Sequence, residues 1–99
     1  MMAGYSLIDW HIKPGRESEF VEKWKEVATS NIAENDPAGW AKLLRDAQDP
    51  THFVSLAEWP DAQTVGQWFA SDGFKLRRDQ LRELIDGVTP GSFSQAASA

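Results

Sequence analysis

Apolar residues recur along this chain in two rhythms. From Tyr5 to Ile12 they alternate: Ile8, Trp10 and Ile12 take the even positions, and Tyr5, Leu7, Asp9 and His11 the odd ones. A period of two predicts a strand. Lys13-Pro14-Gly15 breaks it, because Pro removes a donor and Gly admits a turn. From Arg16 to about Glu34 the period becomes helical, with Phe20, Val21, Trp24, Val27, Ala28 and Ile32 on one stripe. Glu17, Glu19 and Glu22 stand near its start, where the helix dipole favours anions. Asn35-Asp36-Pro37 is the expected stop, since the residue before Pro disfavours the α region.

Gly39 to Asp46 and His52 to Trp59 read as two further strands, joined by the short connection Ala47 to Thr51. Trp59-Pro60-Asp61 ends the second of these. Asp61 is the expected N-cap of a short helix carrying Ala62, Val65, Trp68 and Phe69. Ser71-Asp72-Gly73 resets the chain. Another helix is expected from about Gly73 to Asp86, with Phe74, Leu81, Leu84 and Ile85 inward and Gly87 as C-cap. Val88 to Ala97 holds a last strand around Phe93. The order β-α-β-β-α-α-β is an α+β, ferredoxin-like plan with its second helix broken: a four-stranded antiparallel sheet with helices on one face. Residues 1–99 read as a single domain, structured from about 5 to 95, with no internal repeat.

The strand faces add a constraint. The third strand carries Phe53, Ser55, Ala57 and Trp59 on odd positions, and Val54, Leu56 and Glu58 on even ones. The second strand alternates Trp40, Lys42 and Leu44 with Ala41, Leu43 and Arg45. A sheet with one face in water alternates apolar with polar. Here both faces carry large apolar groups, and helices cover only one. The economical cover for the other is a second copy of the chain, so a homodimer is expected.

Composition narrows the function classes. Five Trp and 41% hydrophobic residues are a large apolar load for 99 residues. A net charge of −5 argues against nucleic acid and anionic membranes, which reward clustered Lys and Arg. The one basic cluster, Lys75, Arg77, Arg78 and Arg82, reads as a solvated helix face. With no Cys, thiolate nucleophiles, disulfides and cysteine-held metals are excluded. His11 and His52 are isolated, read as surface or interface residues, and make a poor metal set. No signal-like or membrane-spanning run is present, so a soluble cytoplasmic protein is expected.

Several stretches resemble the antibiotic biosynthesis monooxygenase family. They are the strand ending in Lys13-Pro14-Gly15 followed by Phe20 and Trp24, the hairpin Leu44-Arg45-Asp46 to Asp49-Pro50-Thr51-His52-Phe53 with Glu58-Trp59, and the segment Trp68 to Lys75. The resemblance covers roughly residues 5 to 95 and implies a dimeric α+β barrel with a pocket between sheet and helices. Some members oxidise phenols, anthrones or quinols with O₂ and no metal or flavin; others degrade haem. The haem-degrading pattern falls on Ile8 where it has Asn and on Arg78 where it has the axial His, keeping only Trp68. Haem chemistry is therefore not expected, nor is any bound metal or cofactor.

Triplet O₂ reacts with a closed-shell molecule only when that molecule supplies an electron, as a phenolate or enolate does. A protein promoting this needs aromatic walls, polar groups at the substrate oxygen and a dry pocket. The resemblance puts Trp59 at the wall and Arg45 and Ser55 at the oxygen, as the candidate catalytic set. Phe53, Trp68, Ile8 and Trp10 are the candidate substrate-binding residues. Each also has a plain structural reading: Trp59 and Trp68 as core, Arg45 as an ion-pair partner. Ser55 stands where one polyketide oxidiser has Asn, and Val65 where it has Tyr. The reading is a cofactor-independent monooxygenase for a small electron-rich aromatic or quinol. The alternative is a non-catalytic dimer that binds a small ligand or serves as a stress-related module.

Overall fold

In the computed structural model, residues 2–34 and 40–99 are described, with residues 32–34 described as backbone alone. The expected stop at Asn35-Asp36-Pro37, the start of the second strand at Gly39 and the side chain of Ile32 lie outside them. The elements are β1 (Gly4–Ile12), α1 (Glu17–Glu34), β2 (Ala41–Arg45), β3 (His52–Trp59), α2 (Ala62–Phe69), α3 (Asp72–Leu81), a 3-10 turn (Arg82–Leu84) and β4 (Ile85–Ser94). The four strands form one antiparallel sheet in the order β2-β3-β1-β4. This is the expected α+β, ferredoxin-like architecture. Among the described residues no helix is long and apolar enough to cross a membrane.

Alternation decides which face the helices cover. Ile8, Trp10 and Ile12 of β1 and Phe53, Ala57 and Trp59 of β3 are buried, while their chain neighbours are not. The main core joins Ile8, Trp10, Ile12 and Phe53 to Phe20 and Val27 of α1, to Phe74 and Leu81 of α3, and to Leu84. Val65, fully buried on α2, packs with Ala57 and Trp59. Each buried large aliphatic or aromatic side chain contributes about 1.5–3 kcal/mol relative to exposure. Val21, expected on the α1 stripe, is exposed instead. It lies one residue beyond Phe20, about 100° around the helix, and only Phe20 points at the sheet.

Local signals set the helix starts. Asp61 caps α2: its carboxylate accepts the Thr64 N–H over 2.7 Å, which holds its pKa below the usual value. Ser71 caps α3 by accepting the Phe74 N–H. Beside the first cap, Gly4 runs so close to the Asp61 backbone that any Cβ would collide with it. The end of α3 differs from the expectation. The helix stops at Leu81, not Asp86, and Gly87 lies inside β4 rather than capping. The 3-10 turn keeps Leu84 buried, and Ile85 then turns extended and pairs with Ile12. Inward apolar spacing read as more helix is thus divided between a tightened turn and a strand. A register shift between His11 and Ile12 absorbs the change at the last rung.

The face away from the helices carries a charged knot beside apolar groups. His52 bonds Asp46 through Nδ1 at 2.9 Å and Asp9 through Nε2 at 2.8 Å. His11 stacks on it, with ring centroids 4.9 Å apart. The bond to Asp46, then that to Asp9, raise the His52 pKa above 6.5, and the bond from His52 lowers that of Asp46 below 3.8. The imidazolium's contribution to stability is complete below the unfolded value of 6.5. It is lost as pH rises through the raised folded value. The Asp46 contribution is present above 3.8 and is lost as pH falls through the lowered folded value. Substituting His52→Gln is therefore expected to lower the thermal midpoint most between about pH 4 and 6.5, with the deficit shrinking at higher pH. A deficit independent of pH in differential scanning calorimetry would rule out the ion-pair account.

Candidate functional site

Pairing between β1 and β3 builds the floor of the site. Gly4 lies opposite Trp59, Ser6 opposite Ala57, Ile8 opposite Ser55 and Trp10 opposite Phe53. All eight point toward the helices, because each is on the buried parity of its strand. Trp10 and Ser55 are diagonal neighbours, as are Trp59 and Ser6. Such diagonals, about 7–8 Å apart, are within reach of an aromatic side chain. The Trp10 indole N–H donates to Ser55 Oγ over 2.9 Å, and the Trp59 indole N–H to Ser6 Oγ over 3.1 Å. A buried indole needs an acceptor, and here each strand supplies the acceptor for the other strand's tryptophan.

This reciprocity has a counterpart in the sequence: Ser6-Leu7-Ile8-Asp9-Trp10 and Ser55-Leu56-Ala57-Glu58-Trp59 repeat the order Ser-Leu-x-acid-Trp. The expectation of no internal repeat holds at the scale of an element and misses this five-residue echo. Ser6, in the first of these pentapeptides, is a cavity residue that the strand's own pattern does not mark. The signal that finds it is a strand pair whose residues match when one strand is rotated half a turn onto the other.

Aromatic groups stand at both ends of this floor. Trp10 packs on Phe20 and Phe20 on Phe53, at centroid distances of 5.5 and 5.2 Å. At the other end Trp59 meets Trp68 at 5.1 Å, and Trp68 meets Phe74 at 4.8 Å. The Trp68 indole N–H donates to Asn31 Oδ1 on α1 over 3.3 Å. Between the ends lies a cavity of about 60 Å³, lined by Ser6, Ile8, Trp10, Ser55, Ala57, Trp59, Trp24, Asn31, Trp68, Arg77 and Arg78 among others. One water needs roughly 10–15 Å³ of such space, so the tryptophans fill much of the room but not all of it. Arg77 and Arg78 were expected on a solvated helix face. They are half-buried on α3 and reach the cavity, while Lys75 and Arg82 are exposed.

The candidate residues thus divide into two places. Ser55, Trp59, Trp68, Ile8 and Trp10 gather at the cavity. Arg45 and Phe53 line a separate open groove of about 640 Å³ between α1 and β2, where the guanidinium lies 4.9 Å from the Phe53 ring centroid. Trp24, Ala28 and Ala41 border both spaces. Among the described residues the cavity lining contains donors and cations but no Asp, Glu or His. Among the described residues no three of His, Cys, Asp and Glu gather in a way that could hold a metal ion.

Over residues 5–80 the chain matches the family model for antibiotic biosynthesis monooxygenase. Among curated proteins nothing matches. SnoaB, a cofactor-independent oxygenase from Streptomyces nogalater, is 20% identical with a TM-score of 0.79, covering 99% of this chain and 97% of that one. A conserved protein from Methanosarcina mazei Go1 is 21% identical with a TM-score of 0.75, covering 94% and 92%. PA3566 from Pseudomonas aeruginosa is 14% identical with a TM-score of 0.73, covering 98% and 97%. At these identities the likeness establishes a shared fold.

The crossed bonds can be weighed directly. Trp10→Phe leaves Ser55 Oγ buried without its donor, and Ser55→Ala leaves the indole N–H without its acceptor. A double-mutant cycle in urea is expected to give a coupling of about 1 kcal/mol, with the double variant less destabilised than the sum of the singles. Strict additivity would show the bond to be energetically idle.

Proposed function

Since the chain belongs to the antibiotic biosynthesis monooxygenase family, we propose that it is a monooxygenase that needs neither metal nor flavin and oxidises a small, electron-rich aromatic or quinol with O₂. The observation that carries this reading is an apolar, tryptophan-walled cavity whose polar groups are hydroxyls, an amide and guanidinium groups. Such a site favours an anion over the neutral molecule, because donors and positive charge in a dry space stabilise negative charge. The ionised substrate passes an electron to O₂. Overall it gives up two hydrogens and gains one oxygen atom, and the second oxygen leaves as water.

The roles follow from position. Ser55 holds the substrate oxygen, Trp59 and Trp68 enclose the ring, and Ile8 and Trp10 close the opposite end. Arg45 and Phe53 sit in the adjoining groove, where they guide an incoming anion. Among the described residues the cavity lining offers no side-chain base, and the substrate's own acidity is proposed to set how much anion is available. O₂ uptake by metal-stripped protein is expected with quinols and naphthols, and log kcat/KM should rise with pH up to the pKa of each substrate and level off there. Ser55→Ala is expected to lower kcat about a hundredfold, and Arg45→Ala to raise KM with kcat little changed. A pH profile with one fixed pKa across substrates would point instead to a protein base. Tight binding of these compounds without O₂ uptake would favour the second reading, a non-catalytic ligand-binding module. That no carboxylate or imidazole lines the cavity among the described residues favours that reading.

The homodimer belongs to the same proposal. Leu7 and Leu56 pair on the face away from the helices, flanked by Val54, with Leu44 and Phe93 each 51% exposed. A sheet face of this kind is economically covered by a second copy. Sedimentation equilibrium is expected to give twice the chain mass of 11.1 kDa. Leu56→Glu should reduce the particle to one chain while its far-UV circular dichroism stays unchanged. A wild-type monomer at micromolar concentration would refute this arrangement.

A further inference from the structure

Ser6 and Ser55 are 4% and 6% exposed, and both line the cavity. Each hydroxyl oxygen already accepts an indole N–H. A hydroxyl also carries one proton to donate. Among the described residues neither serine donates to any acceptor, although both lie well inside a paired sheet. A buried donor in this position calls for an explanation, since nearly all such groups are satisfied in folded proteins. The backbone carbonyls around them serve the strand ladders, and the indoles occupy the flanking side. Both serines line the cavity, so an acceptor placed there is open to each O–H.

Building on the reading above, we propose that Ser6 and Ser55 form a paired hydroxyl cradle for the ionised oxygen of a single-ring phenolate or enolate, with Trp59 and Trp10 as positioning residues that orient the two O–H bonds. Each indole fixes its hydroxyl by occupying the oxygen. It also strengthens that hydroxyl as a donor, because hydrogen bonds in a chain polarise one another. The ring size follows from the space. About 60 Å³ between Trp10 and Trp59 is below the roughly 150 Å³ of a cavity that takes up benzene, so the aromatic walls move apart even for a single ring, and a fused tricyclic system demands a larger shift. Among the described residues the charged side chains of the cavity lining are Arg77 and Arg78, both from α3. α1 contributes the uncharged Asn31 and Trp24 there, and the strands contribute no charge. Those guanidiniums favour the anion as well, so serine substitutions are needed to isolate the cradle.

4-Nitrophenol is a suitable probe: it is a single ring, its anion absorbs visibly, and its electron-poor ring resists oxidation. Saturating protein is expected to lower its apparent pKa by about one unit. Ser6→Ala and Ser55→Ala should each return part of that shift, and Ser55→Thr, which keeps a hydroxyl, should retain it. Trp10→Phe and Trp59→Phe leave both hydroxyls in place, remove the indole N–H that orients each, and widen the cavity at the same time. They are expected to reduce the shift while the probe still binds. No binding of nitrophenol, an unshifted pKa, or serine variants that match wild type would each overturn the cradle. Because the probe is not consumed, the test separates from turnover. A lowered pKa in protein that never takes up O₂ keeps the cradle and removes the oxygenase reading. Normal O₂ uptake with an unshifted probe removes the cradle alone.

Discussion

Two indole N–H groups lie inside an apolar layer, and the acceptors they reach are serine hydroxyls on the opposite strand. This requirement fixes much else. It holds β1 and β3 in one register, because a slip of a single residue would carry one strand's serine and tryptophan to the other face and leave the other strand's pair without partners. It spaces the two tryptophans along the strand pair, with the serines between them. The cavity is the space left between those tryptophans under the helices, so the bonds that lock the sheet also shape the candidate site.

The carboxylates of the sheet lie away from the cavity. Guanidinium groups from α3 reach the helix-covered side, whereas Asp9, Asp46 and Glu58 sit with His52 on the other side or its edge. An anion in the cavity is therefore separated from the sheet's carboxylates by the thickness of the sheet and meets positive charge at the roof. His52, held between two carboxylates, offsets part of their charge when it is protonated. Its stacking partner His11 ties the end of β1 to the start of β3.

Strict alternation made β1 and β3 legible, whereas the last strand, expected from Val88 to Ala97 on a weak pattern, runs from Ile85 to Ser94. β3 was readable to its ends because turn residues bound it on both sides and its odd positions are all buried. Asp61 was readable as a cap because its chemistry is local. The end of α3 was not, since Leu81, Leu84 and Ile85 satisfy a helical stripe equally well, and only pairing with Ile12 reveals where the strand begins. Arg77 and Arg78 look like surface residues in a charged run; their reach toward the cavity depends on how α3 sits over the sheet. Of the candidate residues, those on the inward parity of β1 and β3 share the cavity, apart from Phe53, which looks into the neighbouring groove with Arg45. Ser6 was hidden because a lone small residue on a strand carries no signal until its partner strand is known.

The matched pentapeptides also bear on direction. A floor built from two like strands related by half a turn presents nearly the same face to either end of a flat molecule. Whatever sense of head and tail this cavity has must come from departures from that symmetry. One departure is in the floor, where Ile8 on β1 corresponds to the far smaller Ala57 on β3. The others are in the roof, where Trp68 and Phe74 crowd the Trp59 end while Phe20 covers the Trp10 end. Orientation in this site is thus set by a few unequal side chains on a nearly symmetric base, and it can be altered without disturbing the bonds that hold the sheet.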